Sequence, residues 1–384
     1  MLSSTLAPPF AAGRTIPFFD YRRGFSAEEE DLVAIFKDVG RRGAFILQDD
    51  LERFESNLAA FLGASHALGV ANATDGLLML LRAAGIGAGD EVIFSSHTMV
   101  ATAAAIHFAG AIPVPVECAA DHLIDPAAVE AAITTRTRAI LPTQLNGRTA
   151  DMDALSAIAG RHGLAIVEDA AQALGSRFRG RAAGTFGAGG AISFYPAKLL
   201  GCLGDGGAVV ANNDAVHDRL RELRDHGRRA DGEIVSWGLN SRLDNLQAAI
   251  LDHRLQRYDH AIERRRAVAR RYRAGLGGIE ELVLPPGPDP DPHHAPNHFD
   301  VFQNYEIEAH ERDGLRAHLK SWGIGTIVAW GGKAVHQWEA LGLRARLPFT
   351  DGLFERLLLL PMHPFLNDAE VDYICAAIVD FYRA

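Results

Sequence analysis

Lys198 and Asp169 are the residues of this 384-residue chain whose surroundings best fit chemistry. Lys198 follows the apolar run SFYPA and precedes a turn rich in glycine, although lysine is usually a solvated surface residue. Asp169 follows the strand-like run LAIVE, together with Glu168 and Gln172 in the segment VEDAAQA. Open α/β sheets bind ligands at the carboxyl ends of their strands, so both segments are predicted to reach one crevice.

A lysine and an aspartate that face one crevice are the pair that pyridoxal 5′-phosphate (PLP) requires. The lysine forms a Schiff base with the cofactor, and the carboxylate keeps the pyridine nitrogen protonated. Burial would lower the pKa of Lys198, which helps it to act as nucleophile and proton carrier. The alternative for Asp169 is a helix N-cap, because Ala170 and Ala171 could continue as a helix.

A phosphate site is predicted where GVANATDGLLML ends a strand at Val70 and begins a helix near Thr74. Backbone N–H groups at a helix N-terminus bind phosphate. Ala73, Thr74 and Asp75 are the candidates there, and Ser193 could add a second hydroxyl. The alternative is that Thr74 is an ordinary N-cap.

Strand-like runs alternate with helical runs around these segments, which is typical of an α/β fold with a mostly parallel sheet. The predicted strands are 66–70, 91–95, 112–117, 139–144, 164–168, 191–195 and 207–211. The predicted helices are 28–39, 50–62, 76–84, 100–108, 126–133 and 152–161. A long polar helix with the basic run 263–273 follows, then a strand, helix and strand at 302–309, 312–323 and 325–330, and a last helix at 368–383.

We expect an N-terminal segment (1–27), a large PLP-binding domain (28–255) and a smaller C-terminal α/β domain (256–384). The proline-rich stretch 285–298 reads as a loop within the smaller domain.

Composition excludes several classes of function. The net charge of −10 argues against nucleic-acid or anionic-membrane binding. Three scattered cysteines favour a reducing compartment, and the N-terminus lacks a secretory signal pattern, so a cytoplasmic protein is expected. No stretch is apolar enough to span a bilayer, and no histidine spacing indicates a metal site.

Several motifs in order along the chain resemble the DegT/StrS family of PLP-dependent sugar aminotransferases, which have fold type I. The motifs that carry this resemblance are ATDGL (73–77), GIGAGDEVI (85–93), DMDAL (151–155), VEDAAQALGS (167–176), the long stretch 184–214 around Lys198, GLNSRLDNLQAAIL (238–251) and NDAEVDYICAAI (367–378).

The resemblance implies a role for each matched residue. Lys198 would join the cofactor, Asp169 would hold its ring nitrogen, and Gln172 would bond the side that carries the 3-hydroxyl. Thr74, Ala73 and Ser193 would hold the phosphate. Asn240 would reach the phosphate of the neighbouring subunit, which implies a homodimer with shared active sites.

The implied reaction moves an amino group from L-glutamate to a keto group of a nucleotide-linked sugar. The segment GLNSRLD favours amination at C-3, because it resembles family members that act at C-3. Members that act at C-4 commonly have the pattern GxNxRM instead. The alternatives are a sugar dehydratase, which has histidine at the lysine position, and a non-catalytic regulator. Lys198 argues against the first, and Lys198, Asp169 and Thr74 together argue against the second.

The chain departs from the family pattern at positions near the cofactor and the sugar. Met99 stands where an aromatic residue usually stacks on the cofactor ring, so its thioether or His97 must replace that face. Ala73 replaces the usual glycine. In the segment GGKAVHQ (331–337), His336 and Lys333 are candidates for the sugar, with a surface position as the alternative for Lys333.

Two further residues are candidate substrate contacts. Tyr195 lies close to Lys198 in sequence, although it could simply pack there. Arg242 could bind a carboxylate or a diphosphate, because its guanidinium matches such anions. The alternative for Arg242 is an ion pair with Asp244 or another neighbour.

Overall fold

The computed structural model of the protein describes residues 14–289 and 297–383. Its α-helices are α1 (Tyr21–Ser26), α2 (Glu29–Arg42), α3 (Asp49–Leu62), α4 (Ala73–Ala83), α5 (Val100–Phe108), α6 (Pro126–Ala131), α7 (Met152–His162), α8 (Asp214–Arg224), α9 (Asn245–Leu255), α10 (Tyr258–Leu276), α11 (Arg312–Ser321), α12 (Pro348–Arg356) and α13 (Asp368–Arg383). Its strands are β1 (His66–Val70), β2 (Glu91–Ser95), β3 (Ile112–Val116), β4 (Thr137–Leu141), β5 (Ala165–Asp169), β6 (Arg177–Phe178), β7 (Arg181–Ala182), β8 (Gly189–Ser193), β9 (Gly207–Ala211), β10 (Leu282–Val283), β11 (His298–Phe299), β12 (Tyr305–Ala309) and β13 (Leu357–Leu360).

A seven-stranded sheet in the order β1-β9-β8-β5-β4-β2-β3 forms the centre of the fold. From β8 to β3 the neighbouring strands are parallel, and β9 runs antiparallel to both β8 and β1. All strands except β9 therefore end at the same edge of the sheet. This confirms the predicted α/β class and brings the segments after β1, β2, β4, β5 and β8 together.

Helix α4 packs directly on this sheet. A Cβ atom at Gly76 would lie 2.9 Å from Cγ1 of Val209 and 3.2 Å from the Cβ of Ala191. The glycine thus lets the helix approach β8 and β9 closely, and the apolar side of α4 is buried in the core. The close packing fixes the N-terminus of α4 at the edge where the parallel strands end.

Both outer strands of the large sheet have few free N–H donors on their outer side. β3 reads IPVPV, and Pro113 and Pro115 have no N–H group to donate. At the other edge, the N–H of Gly69 in β1 donates to Oε1 of Glu55 at 2.7 Å, and the carbonyl of Gly69 accepts from Nη1 of Arg224 at 3.1 Å.

A second sheet of three strands, β10-β12-β13, lies in the C-terminal part of the chain. Its strands are antiparallel, and their apolar residues form one core with those of α10, α11 and α13. The N-terminal stretch joins this part, because Ile16 forms a parallel bridge with Ile324. The short third sheet is β11-β6-β7.

The strand predicted at 325–330 is wrong. Ile327 makes only an isolated bridge to Leu359, and Trp330 and Gly331 have positive φ angles of 49° and 71°, which turn the chain away from an extended path. The outer strand of the small sheet is instead β13, the apolar run LLLL at 357–360.

Most other predicted elements are confirmed with small shifts in their ends. The bounds of β1, β2, β9 and α5 agree with the prediction, while β8 lies two residues earlier than the predicted 191–195. Residues 1–13 of the predicted N-terminal segment and residues 290–296 of the predicted loop lie outside the described residues. The proposed division at residues 28–255 and 256–384 stays a prediction.

Within the described ranges, no helix is both long and apolar enough to cross a lipid bilayer. The same residues contain no group of three or more histidine, cysteine or acidic side chains placed to hold a metal ion. Cys118, Cys202 and Cys375 are buried free thiols.

Candidate active site

Lys198 lies in a tight turn after β8. Its N–H donates to the carbonyl of Tyr195 at 2.8 Å, and the N–H of Cys202 returns to the carbonyl of Phe194 at 2.8 Å. The carbonyl of Ala197 accepts from Nε2 of Gln303 at 2.8 Å. Burial lowers the pKa of Lys198, and the attraction of Asp169 opposes this. Asp169 ends β5 and Lys198 follows the neighbouring parallel strand β8, so both residues lie at the same edge of the sheet.

Asp169 is the last residue of β5 and is buried. Its Oδ2 accepts from Oγ1 of Thr102 at 2.6 Å, and its Oδ1 accepts from the N–H of Ala171 at 3.1 Å. Residues 170–176 form turns, so the alternative of a helix N-cap is wrong. Burial raises the pKa of Asp169 against the opposing effects of Thr102, Ala171 and Lys198.

A chain of threonine hydroxyls supports Asp169. Oγ1 of Thr98 lies 2.9 Å from Oγ1 of Thr102 and 2.8 Å from Oγ1 of Thr143. Sequence reasoning missed these residues, although Thr98 and Thr102 stand four apart where α5 begins. Thr98 precedes the N-cap Met99 and Thr102 lies in the first turn of α5, so two hydroxyls close to the start of a predicted helix were the available signal.

The N-terminus of α4 is where the sequence predicted a phosphate site. Asn72 is the N-cap, since its Oδ1 accepts from the N–H of Asp75 at 2.9 Å, so the alternative of Thr74 as N-cap is wrong. The N–H groups of Ala73 and Thr74 and the Thr74 hydroxyl bond no group of the described chain. Oγ of Ser193 receives only the N–H of Tyr195, at 3.3 Å.

Gln172 follows β5 and is nearly buried. Its Oε1 accepts from the N–H of Asn146 at 3.0 Å and from Nδ2 of Asn304 at 3.3 Å. Asn146 follows β4 and Asn304 precedes β12. No local sequence pattern indicated that Asn146 and Asn304 meet at Gln172.

Glu168 was expected at the mouth of the site, and the structure places its side chain elsewhere. Its carboxylate accepts from Nε2 of Gln144 at 2.6 Å and from the N–H groups of Gly184 and Phe186 at 2.9 and 2.6 Å. Side chains alternate along a strand, so Glu168 points to the face opposite that of Asp169. Burial raises the pKa of Glu168 to about 7 despite these donors.

The sequence left Met99 and His97 as the two candidates for covering the face of the cofactor ring. His97 is 0% exposed and packs against Trp330 and Phe354, so it has no free face to offer a cofactor. Met99 is 46% exposed and caps α5, with its sulfur accepting from the N–H of Ala101 at 3.0 Å. Of the two expected candidates, only Met99 has an accessible side chain.

His97 belongs instead to a buried cluster with His122 and Glu306, which we call the His–Glu cluster. Nδ1 of His122 lies 2.8 Å from Oε1 of Glu306, and Nε2 of His97 lies 3.6 Å from its Oε2. Burial opposes charge on both rings, but their partners together outweigh it. Glu306, with Cys118, raises the pKa of His97 to about 10, and Glu306 with Glu308 raises that of His122 to about 9. The pKa of Glu306 is lowered by the two histidines despite burial. His122 also contacts a second carboxylate, since its Nε2 lies 3.3 Å from Oε1 of Glu308. The cluster therefore places two positive rings beside Glu306 and joins the large sheet to β12.

The candidate sugar contacts at 331–337 have different surroundings. His336 is buried, with Nδ1 at 2.7 Å from Oγ of Ser96 and Nε2 at 3.0 Å from Oδ1 of Asp351. Both ring nitrogens thus have partners within the protein. Lys333 is exposed, with its ammonium 5.0 Å from the centre of the Trp338 ring.

Tyr195, Arg242 and Asn240 lie near the surface of the described chain. Tyr195 is 51% exposed. Nη1 of Arg242 bonds Oδ1 of Asp225 at 3.0 Å, so its ion-pair partner is Asp225 and not Asp244. The side chain of Asn240 is exposed, and the neighbouring Ser241 accepts from the N–H of Ala71 at 3.2 Å, beside the turn that leads into α4.

The residues at this edge fit PLP. The Asp169 oxygens each have one donor and retain a lone pair for a protonated ring nitrogen. A buried lysine with a lowered pKa lies across the crevice. Free N–H groups at a helix N-terminus complete the site with the chemistry that a phosphate requires.

Comparison with known proteins identifies the class. The model of the DegT/DnrJ/EryC1/StrS aminotransferase family matches residues 26–379, and the chain belongs to this family of PLP-dependent enzymes. The dTDP-3-amino-3,4,6-trideoxy-alpha-D-glucose transaminase of Streptomyces venezuelae is 44% identical over 361 residues, which cover 92% of each chain.

Two solved structures support the same assignment. S. venezuelae DesV matches with a TM-score of 0.91 at 41% identity, covering 96% of this chain and 99% of that chain. NtdA of Bacillus subtilis with bound pyridoxamine phosphate matches with a TM-score of 0.86 at 25% identity, covering 96% of this chain and 86% of that chain. The predicted family and fold class are thus confirmed.

Proposed function

We propose that this aminotransferase moves an amino group from L-glutamate to the C-3 keto group of a sugar linked to a nucleoside diphosphate. The observation that carries the proposal is the arrangement of Lys198, Asp169 and the free N-terminus of α4 at one edge of the sheet. The choice of C-3 is supported by the S. venezuelae relative, whose name describes a 3-amino sugar. The GLNSRLD segment supports the same choice.

The site residues have separate tasks in this reaction. Bound PLP supplies an electron sink for the electrons left when the Cα–H bond of the amino donor breaks. Lys198 would accept that proton and deliver it, and its lowered pKa favours the neutral amine that accepts the proton. Asp169 keeps the ring nitrogen protonated, since a buried carboxylate with few donors pairs strongly with a cation.

The Thr74 hydroxyl, the N–H groups of Ala73 and Thr74, and the Ser193 hydroxyl would hold the phosphate. Gln172 would donate to the oxygen on C-3 of the pyridine ring, and Met99 would cover the ring face. Tyr195 and Arg242 remain proposed substrate contacts; Arg242 would have to exchange Asp225 for the anion. His336 would act on the sugar only by positioning its loop, because both its ring nitrogens are engaged.

The proposed enzyme is a cytoplasmic homodimer with shared sites. Trp237 is 94% exposed, and Ile234, Phe36 and Phe45 are each more than half exposed. Large apolar side chains exposed in this way mark protein-binding surfaces. Asn240 lies in the same segment as Trp237 and is free to reach a second copy. Three buried free thiols suit a reducing compartment.

Borohydride reduction of the holoenzyme, followed by peptide mapping, tests the role of Lys198. We expect the label on the peptide that contains Lys198, and loss of both the visible band and turnover in Lys198→Ala. A label on another peptide would contradict the assignment. The pyridoxamine form should then be offered dTDP- and UDP-linked 3-keto and 4-keto sugars, with the position of the new amine determined by NMR. Amination of only 4-keto sugars would contradict the proposed substrate.

Mixing two inactive variants tests site sharing. In a heterodimer of Lys198→Ala and Asn240→Ala subunits, one shared site is intact and the other carries both changes. After subunit exchange at equal amounts, about a quarter of wild-type turnover is expected. No recovery, with heterodimers demonstrated by native mass spectrometry, would show that each site uses its own Asn240.

A further inference from the structure

The amide of Gln172 has one end fully engaged and one end free. Its Oε1 accepts from the N–H of Asn146 and from Nδ2 of Asn304, which uses both lone pairs of the oxygen. Its Nε2 donates to no group of the described chain, although the side chain is only 9% exposed. The free amide nitrogen is therefore the end available to a ligand in the crevice.

The direction of this amide is set from Glu306 through two asparagines. A carboxylate only accepts hydrogen bonds, so the atom of Asn146 that lies 2.9 Å from Oε1 of Glu306 must be its Nδ2. The Oδ1 of Asn146 then faces Asn304 and can only accept a hydrogen bond. The atom of Asn304 that lies 2.8 Å from this oxygen must therefore be its Nδ2. The same Nδ2 lies 3.3 Å from Gln172 and can meet only its oxygen.

Each step in this series fixes the next, and the backbone N–H of Asn146 gives a second, independent reason for the same orientation of Gln172. A reversed Gln172 would set its NH₂ group against two donors. Such a reversal would leave buried donors without acceptors, which is costly inside a protein.

We propose that Asn304, together with Asn146 and Glu306, is a positioning residue that fixes Gln172 with its NH₂ group toward the cofactor. The inference rests on the proposed role of Gln172 as the hydrogen-bond partner of the oxygen on C-3 of the pyridine ring. That oxygen is anionic when PLP forms its Schiff base, so a donor stabilises it and an acceptor would repel it. The segment before β12 thus determines which end of the Gln172 amide the cofactor meets.

The Schiff-base proton provides the readout. A donor on the neighbouring anionic oxygen withdraws negative charge from it and favours release of the proton. Loss or reversal of that donor should raise the pH at which the visible band of the holoenzyme is lost. This pH is measured by absorbance titration without substrate, so it does not depend on turnover.

Four proteins are compared with wild type: Gln172→Ala, Asn304→Asp, the double variant and Asn57→Ala. In Asn304→Asp the new carboxylate can no longer donate, and its charge attracts the NH₂ group of Gln172 more strongly than the single N–H of Asn146 holds the oxygen. Gln172 should therefore turn its NH₂ group toward that carboxylate and present oxygen to the cofactor. Asn57→Ala is a control that removes a remote amide, which bonds Oδ1 of Asp252. Thermal unfolding of each apoprotein identifies any variant that is not folded, and Asn304→Leu, which also lacks the donor, replaces Asn304→Asp in that case.

We expect Gln172→Ala and Asn304→Asp each to raise the midpoint by about one pH unit, and Asn57→Ala to leave it unchanged. The double variant should match Gln172→Ala alone, because Asn304 acts through Gln172. A full additional shift in the double variant would show that the new charge acts directly, and would overturn the inference. An unshifted Asn304→Asp beside a shifted Gln172→Ala would also overturn it, while leaving the proposed site intact. An unshifted Gln172→Ala would remove Gln172 from the proposed site and the inference with it.

Discussion

The His–Glu cluster should make the stability of the protein depend on Glu306 and on alkaline pH. Replacing Glu306 with glutamine removes the carboxylate beside His97 and leaves His122 with Glu308 alone. Breaking a buried ion pair costs about 3–5 kcal/mol. The entropy of unfolding is about 2.1 cal/mol/K per residue, or about 0.8 kcal/mol/K for this chain. The melting temperature of Glu306→Gln apoprotein should therefore fall by about 4–6 °C at pH 7.

The pH dependence follows from the two histidines. Their unfolded pKa lies near 6.5, whereas the folded values are about 10 for His97 and about 9 for His122. The contribution of these two protons to the free energy of unfolding is fully present below pH 6.5. It is lost as the pH rises through the pKa values of the folded state. With two protons retained only by the folded state, the slope approaches about −2.7 kcal/mol, or about −3 °C, per pH unit between pH 7.5 and 9.

Differential scanning calorimetry at pH 7, 8 and 9, at one protein concentration, measures both effects. The Glu306→Gln variant should lose stability at pH 7 and at least the half of the alkaline slope that His97 provides, because His122 keeps Glu308. Glu117→Gln is the matched control, because its carboxylate accepts from the N–H groups of Phe349 and Thr350 and faces no histidine. An unchanged slope in Glu306→Gln would refute the assignment of two charged rings to the cluster.

Three further changes test the candidate site. Thr102→Val removes the donor to Asp169 and should slow the half-reaction with L-glutamate about tenfold, as measured by stopped-flow absorbance. Thr102→Ser keeps a hydroxyl and should retain the wild-type rate. A wild-type rate in Thr102→Val would contradict this prediction. Asp169→Ala should still bind the cofactor but lower the same rate by at least about a thousandfold, and a near-normal rate would rule out its role at the ring nitrogen. Gly207→Ala would place a Cβ 2.8 Å from the nitrogen of Ala73 and should weaken PLP binding, measured by fluorescence titration. Gly160→Ala is the control, because its Cβ would lie in open space, and it should leave the affinity unchanged. Equal affinity in both variants would count against a phosphate site at the start of α4.

Local segments were sufficient to predict where the candidate residues of the site lie in the fold. Lys198, Asp169 and the start of α4 each follow a strand with a clear apolar pattern, and the ends of parallel strands meet at one edge. These local signals also predicted the bounds of β2, β9 and α5.

The features that the sequence did not predict depend on contacts between residues far apart in the chain. β12 reads YEIEA, whose alternation predicts an exposed face for Glu306, yet all five residues are buried because His122 and His97 face that side. Nothing local links Glu306 to histidines that precede it by nearly half the chain. The run GTIVAW has strand composition but turns at Trp330, and β13 occupies the edge of the small sheet instead.

The two edges of the large sheet have a consequence for how copies of the chain associate. The outer side of β3 lacks two N–H donors, because residues 113 and 115 are proline. In β1 the backbone N–H and carbonyl of Gly69 are already hydrogen-bonded to Glu55 and Arg224. A strand from another molecule finds little to pair with at either side. Concentrated protein is thereby protected against fibre-like stacking of sheets, and assembly is left to helices and loops.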